Sequence, residues 1–141
     1  MNAAGTWKID ETMILGKSEI ATVMAELKRK ARRSVNTRQN MTIFRLAACC
    51  GLRVSEVCGL NLGDVRLGLD PPYINIRKAI GKGRRSRRVP LWWDRGTLDD
   101  LAAWKVERRE QDAAPSHPFV CSQAEGSFGR RLDRRNAPMR F

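Results

Sequence analysis

Ile43, Leu46, Ala47 and Cys50 recur at i, i+3, i+4 and i+7, and the repeat is cut off by Gly51. That spacing predicts a helix from about 37 to 50 with one apolar, buried face. A glycine directly after it suits the left-handed residue that closes a helix. Val54, Val57 and Cys58 then restart a short helical run, which Gly59 breaks. Arg53 is thereby held at a helix entrance between two packed elements, with Glu56 three residues on. By itself this placement fits a surface cation paired with Glu56 as well as a cation aimed at a ligand.

The charge balance narrows the choice of ligand. The chain has 141 residues, room for one core, and carries 27 Lys and Arg against 15 Asp and Glu, a net charge of +12. Such an excess attracts polyanions, nucleic acid first among them. The cations are also clustered: no acid occurs between Glu26 and Glu56 or between Asp70 and Asp94. The four cysteines, Cys49, Cys50, Cys58 and Cys121, show no C-x-x-C spacing, and the single histidine, His117, has no ligand partner near it. No metal site is expected. Cys50 and Cys58 fall in the apolar pattern and read as small buried hydrophobes in a reducing compartment. No run of residues has the length and apolarity of a membrane span or of a signal peptide, so no membrane partner is expected and the cytoplasm, on the nucleoid, is the expected location.

Along the chain, residues 1–15 carry Trp7, Ile9, Met13 and Ile14 without a sustained repeat and read as an arm or linker, leaving 16–141 as the folded unit. Ile20, Val23, Met24 and Leu27 predict a helix from 17 to about 31, with Gly16 as N-cap and Glu19 in the first turn. Its end carries Lys28, Arg29, Lys30, Arg32 and Arg33, either a solvated face or a phosphate-facing edge. Pro71-Pro72 leads into Tyr73–Lys78, where Ile74 and Ile76 alternate with polar neighbours as in a half-buried strand. Residues 86–91 read as its hairpin partner across a turn at Gly81-Lys82-Gly83, and residues 65–67 as a possible third strand. A further helix is expected from Thr97 to about 112, with Thr97-x-x-Asp100 as its cap signal. Trp92 and Trp93 read as core or hinge packing at the junction, with a base-stacking role for one of the two, facing DNA, as the alternative. Arg130, Arg131, Arg134 and Arg135 are expected to open a last helix. The fold class is α+β, mainly helical, with a small antiparallel sheet and a basic hairpin.

Two stretches carry a resemblance. Cys50-Gly51-Leu52-Arg53-Val54-Ser55-Glu56, followed by Leu60 and Asp64, closely resembles the first active-site box of the tyrosine recombinase (phage integrase) family. Ile80 to Leu91, with its Gly81-Lys82-Gly83 turn and closing Val89-Pro90-Leu91, looks like that family's β-hairpin. The resemblance implies that Arg53 is the first catalytic arginine, supported by Glu56, and that Lys82 is the general acid that protonates the leaving 5′ oxygen. It also implies a reaction in which a tyrosine forms a 3′-phosphotyrosyl link to DNA without metal, ATP or another cofactor. Duplex DNA is the expected partner, with Arg77, Arg84, Arg85, Arg87 and Arg88 as phosphate contacts; a synaptic oligomer is expected only of the full-length parent.

The likeness runs from Lys17 to about Arg135, roughly the first two thirds of a recombinase catalytic domain. The family's His-x-x-Arg box and its nucleophilic tyrosine have no counterpart here: His117 lies in Ser-His-Pro-Phe, and Tyr73 precedes Lys82, on a strand. The expectation is a fragment, inactive alone. Two functions compete: the DNA-binding part of a recombinase, and a stand-alone, non-catalytic DNA-binding module derived from an integrase. An RNA-binding basic domain stands further off, lacking an aromatic-rich stacking strand.

Overall fold

The computed structural model describes residues 16–81, 83, 85–91 and 94–133. The expected arm at 1–15, Lys82, Arg84, Trp92, Trp93, Arg134 and Arg135 lie outside the described residues. The fold is α+β and mainly helical: the described residues form four α-helices and a three-stranded antiparallel sheet.

Helix α1 spans Lys17–Ala31, capped at Gly16, whose N–H donates to Glu19 Oε1 at 3.3 Å. It buries only Met24 and Ala31 and packs on α2, apart from the main core. Helix α2 spans Val35–Phe44. It starts two residues before the expected 37, because the Ser34 side chain accepts the Thr37 N–H at 3.2 Å and so caps it from further upstream. Nor is 37–50 one continuous α-helix. From Arg45 to Cys49 the ladder widens into a π-turn, with the Cys50 N–H reaching Arg45 O at 3.1 Å. Gly51 follows at φ +73°, the left-handed conformation expected of it, and lets the Leu52 N–H close on Leu46 O at 3.0 Å.

Helix α3 spans Val54–Gly59, and a 3₁₀ turn at Leu62–Asp64 leads into β1 (Val65–Arg66). Strand β2 is Tyr73–Ile76 and β3 is Arg87–Pro90, both shorter than the expected 73–78 and 86–91. Arg77 leaves the ladder because its carbonyl accepts the N–H groups of Ile80 and Gly81, each at 3.0 Å, which begins the loop. Strand order is β1-β2-β3, with Val65 opposite Ile74, Ile74 opposite Val89 and Ile76 opposite Arg87. Residues directly opposite share a face. Val65, Ile74, Ile76, Val89 and Arg87 therefore face the core, and Tyr73, Asn75 and Arg88 face away.

Helix α4 spans Arg95–Glu110, and the expected start at Thr97 with Asp100 as its capping partner is corrected. Asp94 is the N-cap: its carboxylate accepts the Thr97 N–H at 3.2 Å and the Thr97 hydroxyl at 2.7 Å. A carboxylate three residues upstream of an orphan N–H is the stronger acceptor and sits at the positive end of the helix dipole. Leu101 and Trp104 of α4 close the core with Ile43, Leu46, Ile74 and Phe119, and Trp104 Nε1 donates to Phe119 O at 2.7 Å. The expected helix opening at 130 is absent through Asp133; Arg131 instead bridges Cys121 in antiparallel fashion. Among the described residues no helix is long and apolar enough to cross a membrane.

Candidate functional site

Glu56 carries the geometry of the site. Its side chain is fully buried, a position that costs a carboxylate several kcal/mol unless charge and hydrogen bonds replace the lost water. The replacement comes from two directions. Arg87 of β3 donates Nη1 to Oε2 at 2.5 Å and Nη2 to Oε1 at 2.9 Å, and the backbone N–H of Arg53 donates to Oε1 at 3.0 Å. A guanidinium fork on a carboxylate is the strongest form of this bond. It holds Arg87 above the usual guanidinium range, through its hydrogen bond with Glu56 against the opposing effect of burial. One carboxylate thus ties the entrance of α3 to the hairpin.

A second tie joins the far end of α3 to the root of the hairpin loop. Arg77 donates Nε to Asp64 Oδ2 at 2.8 Å and Nη2 to the Gly59 carbonyl at 2.6 Å. Asp64 Oδ2 also accepts the Asn61 N–H at 2.9 Å. Ile80 packs directly on Gly59, where a Cβ would stand 2.5 Å from Ile80 Cγ2. The loop that carries position 82 is therefore rooted on both ends of the helix that Arg53 opens.

Arg53 is left free by this scaffold. Its backbone is extended, at φ −77° and ψ 157°, and its side chain is exposed. Among the described residues its guanidinium makes no hydrogen bond or ion pair. Arg85 and Arg88 are exposed too, the latter lying over the Tyr73 ring at 4.6 Å. Of the cations expected to meet phosphate, Arg53, Arg85 and Arg88 are presented outward. Arg87 has its fork engaged by Glu56, and Arg77 is held by Asp64 and the Gly59 carbonyl, but both keep part of their side chains exposed, at 41% and 35%.

The sequence reading missed several charged residues that hold the frame. Arg45, 8% exposed, donates Nε to Asp100 at 2.8 Å and Nη1 to the Thr97 hydroxyl at 3.3 Å. Arg131 donates to the carbonyls of Cys58 and Leu60 at 2.9 and 3.1 Å, closing the end of α3. A signal for Arg87 was present: Arg87, Val89 and Leu91 alternate, so a strand that buries Val89 also turns Arg87 inward. Arg45, flanked by buried Phe44 and Leu46, had no such period to reveal it.

A helix corner with a free arginine, tied through a buried acid to a basic hairpin, defines a cationic site on a single core. A model of the phage integrase family matches residues 14–141, and the chain belongs to that family. It is similar to the tyrosine recombinase XerC of Mycobacterium bovis (strain BCG / Pasteur 1173P2), 35% identical over 97 residues that make up 67% of this chain and 29% of that protein. The tyrosine recombinase XerC of Corynebacterium efficiens is 32% identical over 98 residues, 70% of this chain and 28% of its own. That of Halalkalibacterium halodurans is 42% identical over 53 residues, 38% of this chain and 16% of its own. The matched segments thus span under a third of the relatives' length.

Proposed function

We propose that this chain is the phosphate-gripping part of a DNA strand-exchange catalytic domain, in which Arg53 clamps the scissile phosphate and Lys82 supplies the proton to the leaving 5′ oxygen. The observation that carries the reading is the contrast at one corner: the Arg53 backbone is locked by buried Glu56 while its guanidinium is bare and exposed. An arginine held in that way enters a phosphate complex with little reordering. Negative charge grows on the non-bridging oxygens as the attacking oxygen adds, and a planar fork of N–H donors stabilises that charge most where it is greatest. Lys82 falls in the sequence between Arg77 and Arg87, whose ties to Asp64 and Glu56 are in place, and in this reading its ammonium gives the proton to the leaving oxygen. Arg85 and Arg88 grip the backbone on either side, and Arg77 and Arg87 add positive field while holding the frame.

Such a chain binds duplex DNA with little sequence preference. With on the order of five phosphates neutralised, log K falls against log salt with a slope of about −4 to −5. Arg85→Ala with Arg88→Ala lowers the steepness by about 2 on any duplex; a flat salt titration, or a loss confined to one sequence, would count against the proposal. The chemistry is tested by incubating the 141-residue chain with a suicide DNA substrate. No covalent adduct is expected, because Tyr73, the one tyrosine of the 141 residues, lies on β2, and no cleavage, because water attacks a phosphodiester far too slowly for a clamp and a proton donor to rescue. Joining a recombinase segment that bears the nucleophilic tyrosine restores the adduct, and Arg53→Ala or Lys82→Ala then abolishes or slows it with duplex affinity nearly unchanged. Full adduct yield from Arg53→Ala would remove the clamp from the mechanism, and an adduct of the 141-residue chain lost in Tyr73→Phe would move the nucleophile to β2.

A further inference from the structure

The two faces of the sheet differ in kind. One carries Val65, Ile74 and Ile76 into the core, and the other, with Arg66, Tyr73, Asn75 and Arg88, turns away from it. Register places Arg66 of β1 opposite Tyr73 of β2, while Arg88 of β3, opposite Asn75, lays its guanidinium over the Tyr73 ring at 4.6 Å. Tyr73 therefore stands between two arginines, in a stripe that crosses three strands, about 10 Å at the usual strand spacing. Both arginines are exposed, and among the described residues neither pairs with an acid. At the free edge of β1 the stripe continues onto α4. Lys105 Nζ donates to the Val65 carbonyl at 2.5 Å, and exposed Arg109 follows one helical turn on. Burial first, then Arg109 and Arg66, holds Lys105 below the usual ammonium range, so the charges that reach it are positive.

We infer that this outer face takes one unpaired nucleic-acid strand, with a base laid against the stacked pair of Tyr73 and Arg88 and the adjoining phosphates on Arg66 and Arg109. Free cations around a single aromatic ring complement a chain that alternates negative charge with flat rings, and stacking of that kind tolerates any base. A duplex fits this face less well, because its bases are shut in the stack and present only their edges. Room for a base is present: Tyr73, Arg88 and Pro90, with Leu69, Asp70 and Pro71, bound a cleft of about 500 Å³. The Asp70 carboxylate repels phosphate and accepts N–H groups of a base edge, so it favours the base in the cleft and sends the phosphates toward Arg66. An acidic peptide would bring its carboxylates against Asp70 and leave the ring unused. Arg88 also belongs to the duplex contact proposed above, so the two surfaces adjoin at β3, but the stripe depends on neither Arg53 nor Lys82.

The test titrates the full chain against a fluorescein-labelled oligothymidylate of about 12 nucleotides, which forms no duplex, and against a labelled duplex, with anisotropy as the readout. Tyr73→Ala should weaken single-strand binding about tenfold, as the loss of a stacked base does, and Tyr73→Phe should keep it within about twofold. Urea midpoints check that each variant is folded. Arg66→Ala with Arg109→Ala should lower the salt slope on the single strand by about 1.4, at about 0.7 per phosphate, with duplex affinity nearly unchanged. Irradiation of a strand carrying 5-iodouracil should link it to the peptide that contains Tyr73. Unchanged single-strand affinity in Tyr73→Ala, an equal loss in Tyr73→Phe, or a crosslink confined to other peptides would overturn the inference. So would a parallel loss of duplex binding, which would make the stripe part of the duplex site. Arg53→Ala should leave the single strand bound as before, so failure of the proposed clamp and failure of this surface are read separately.

Discussion

Two stretches of this chain are equally rich in positive charge and are built in different ways. At the end of α1, Arg29 and Lys30 pair with Glu26 at 2.7 and 3.3 Å, and all three side chains stay at least half exposed. Around the hairpin, Arg87 and Arg77 pair with Glu56 and Asp64, acids that are 0% and 7% exposed and come from α3 and the turn after it. The first arrangement satisfies charge locally and holds nothing together; the second crosses between elements and fixes where Arg53 and the loop stand. Density of cations along the chain is the same signal in both. What separates them is whether an acid distant in sequence is buried beneath.

The difference can be broken by substitution. Arg87→Ala leaves Glu56 buried without its fork and should cost about 3–5 kcal/mol, read as a lower urea midpoint. Glu56→Ala should fall in the same range, with the double substitution well short of additive. Additive losses would mean that the two groups do not act through each other. Gly59→Ala probes the packing part of the same joint: a new methyl must displace Ile80, a loss of about 1–3 kcal/mol that Ile80→Ala in the same chain should largely relieve.

A smaller effect is expected at Asp94, which joins the ion pair of Arg45 to the cap of α4. Burial works to raise its pKa, but the hydrogen bonds from Thr97, helped by Arg45 and Gly96, outweigh burial and hold the carboxyl below the usual range. A carboxyl lowered on folding stabilises the protein above its unfolded value and loses that contribution as pH falls through the folded one. Acid titration of stability should therefore show a loss of about 1 kcal/mol that begins near the ordinary value of 3.8 and continues below it. Asp94→Asn should flatten that part of the curve, and an unchanged acid limb would assign it to other groups. The least effect belongs to Arg29→Ala, where exposed pairing predicts no resolvable change in the urea midpoint. A loss comparable to that of Arg87→Ala would erase the contrast between the two regions.

Much of the site was legible beforehand because it rests on short-range chemistry. Gly51 after an apolar repeat announced the corner, and its φ of +73° is what that position needs. The alternation of Ile74 and Ile76 announced a half-buried strand, and both are fully buried. Boundaries were less legible. Ser34 and Asp94 start α2 and α4 earlier than the apolar pattern suggested, because a cap lies outside the repeat it terminates.

The sequence by itself determined the class of fold, the corner that holds Arg53, the basic hairpin and the family, since each is written in neighbouring residues with a period or a motif. Only the tertiary structure decided which cations are free. Arg87 and Arg88 are adjacent and chemically identical, yet the register that sets Ile76 opposite Arg87 turns one toward buried Glu56, 31 residues away, and the other over Tyr73 on the far face. Ion-pair partners of that kind are chosen by which elements pack together. No local pattern encodes them, because a guanidinium is equally stable beside any carboxylate that the fold delivers.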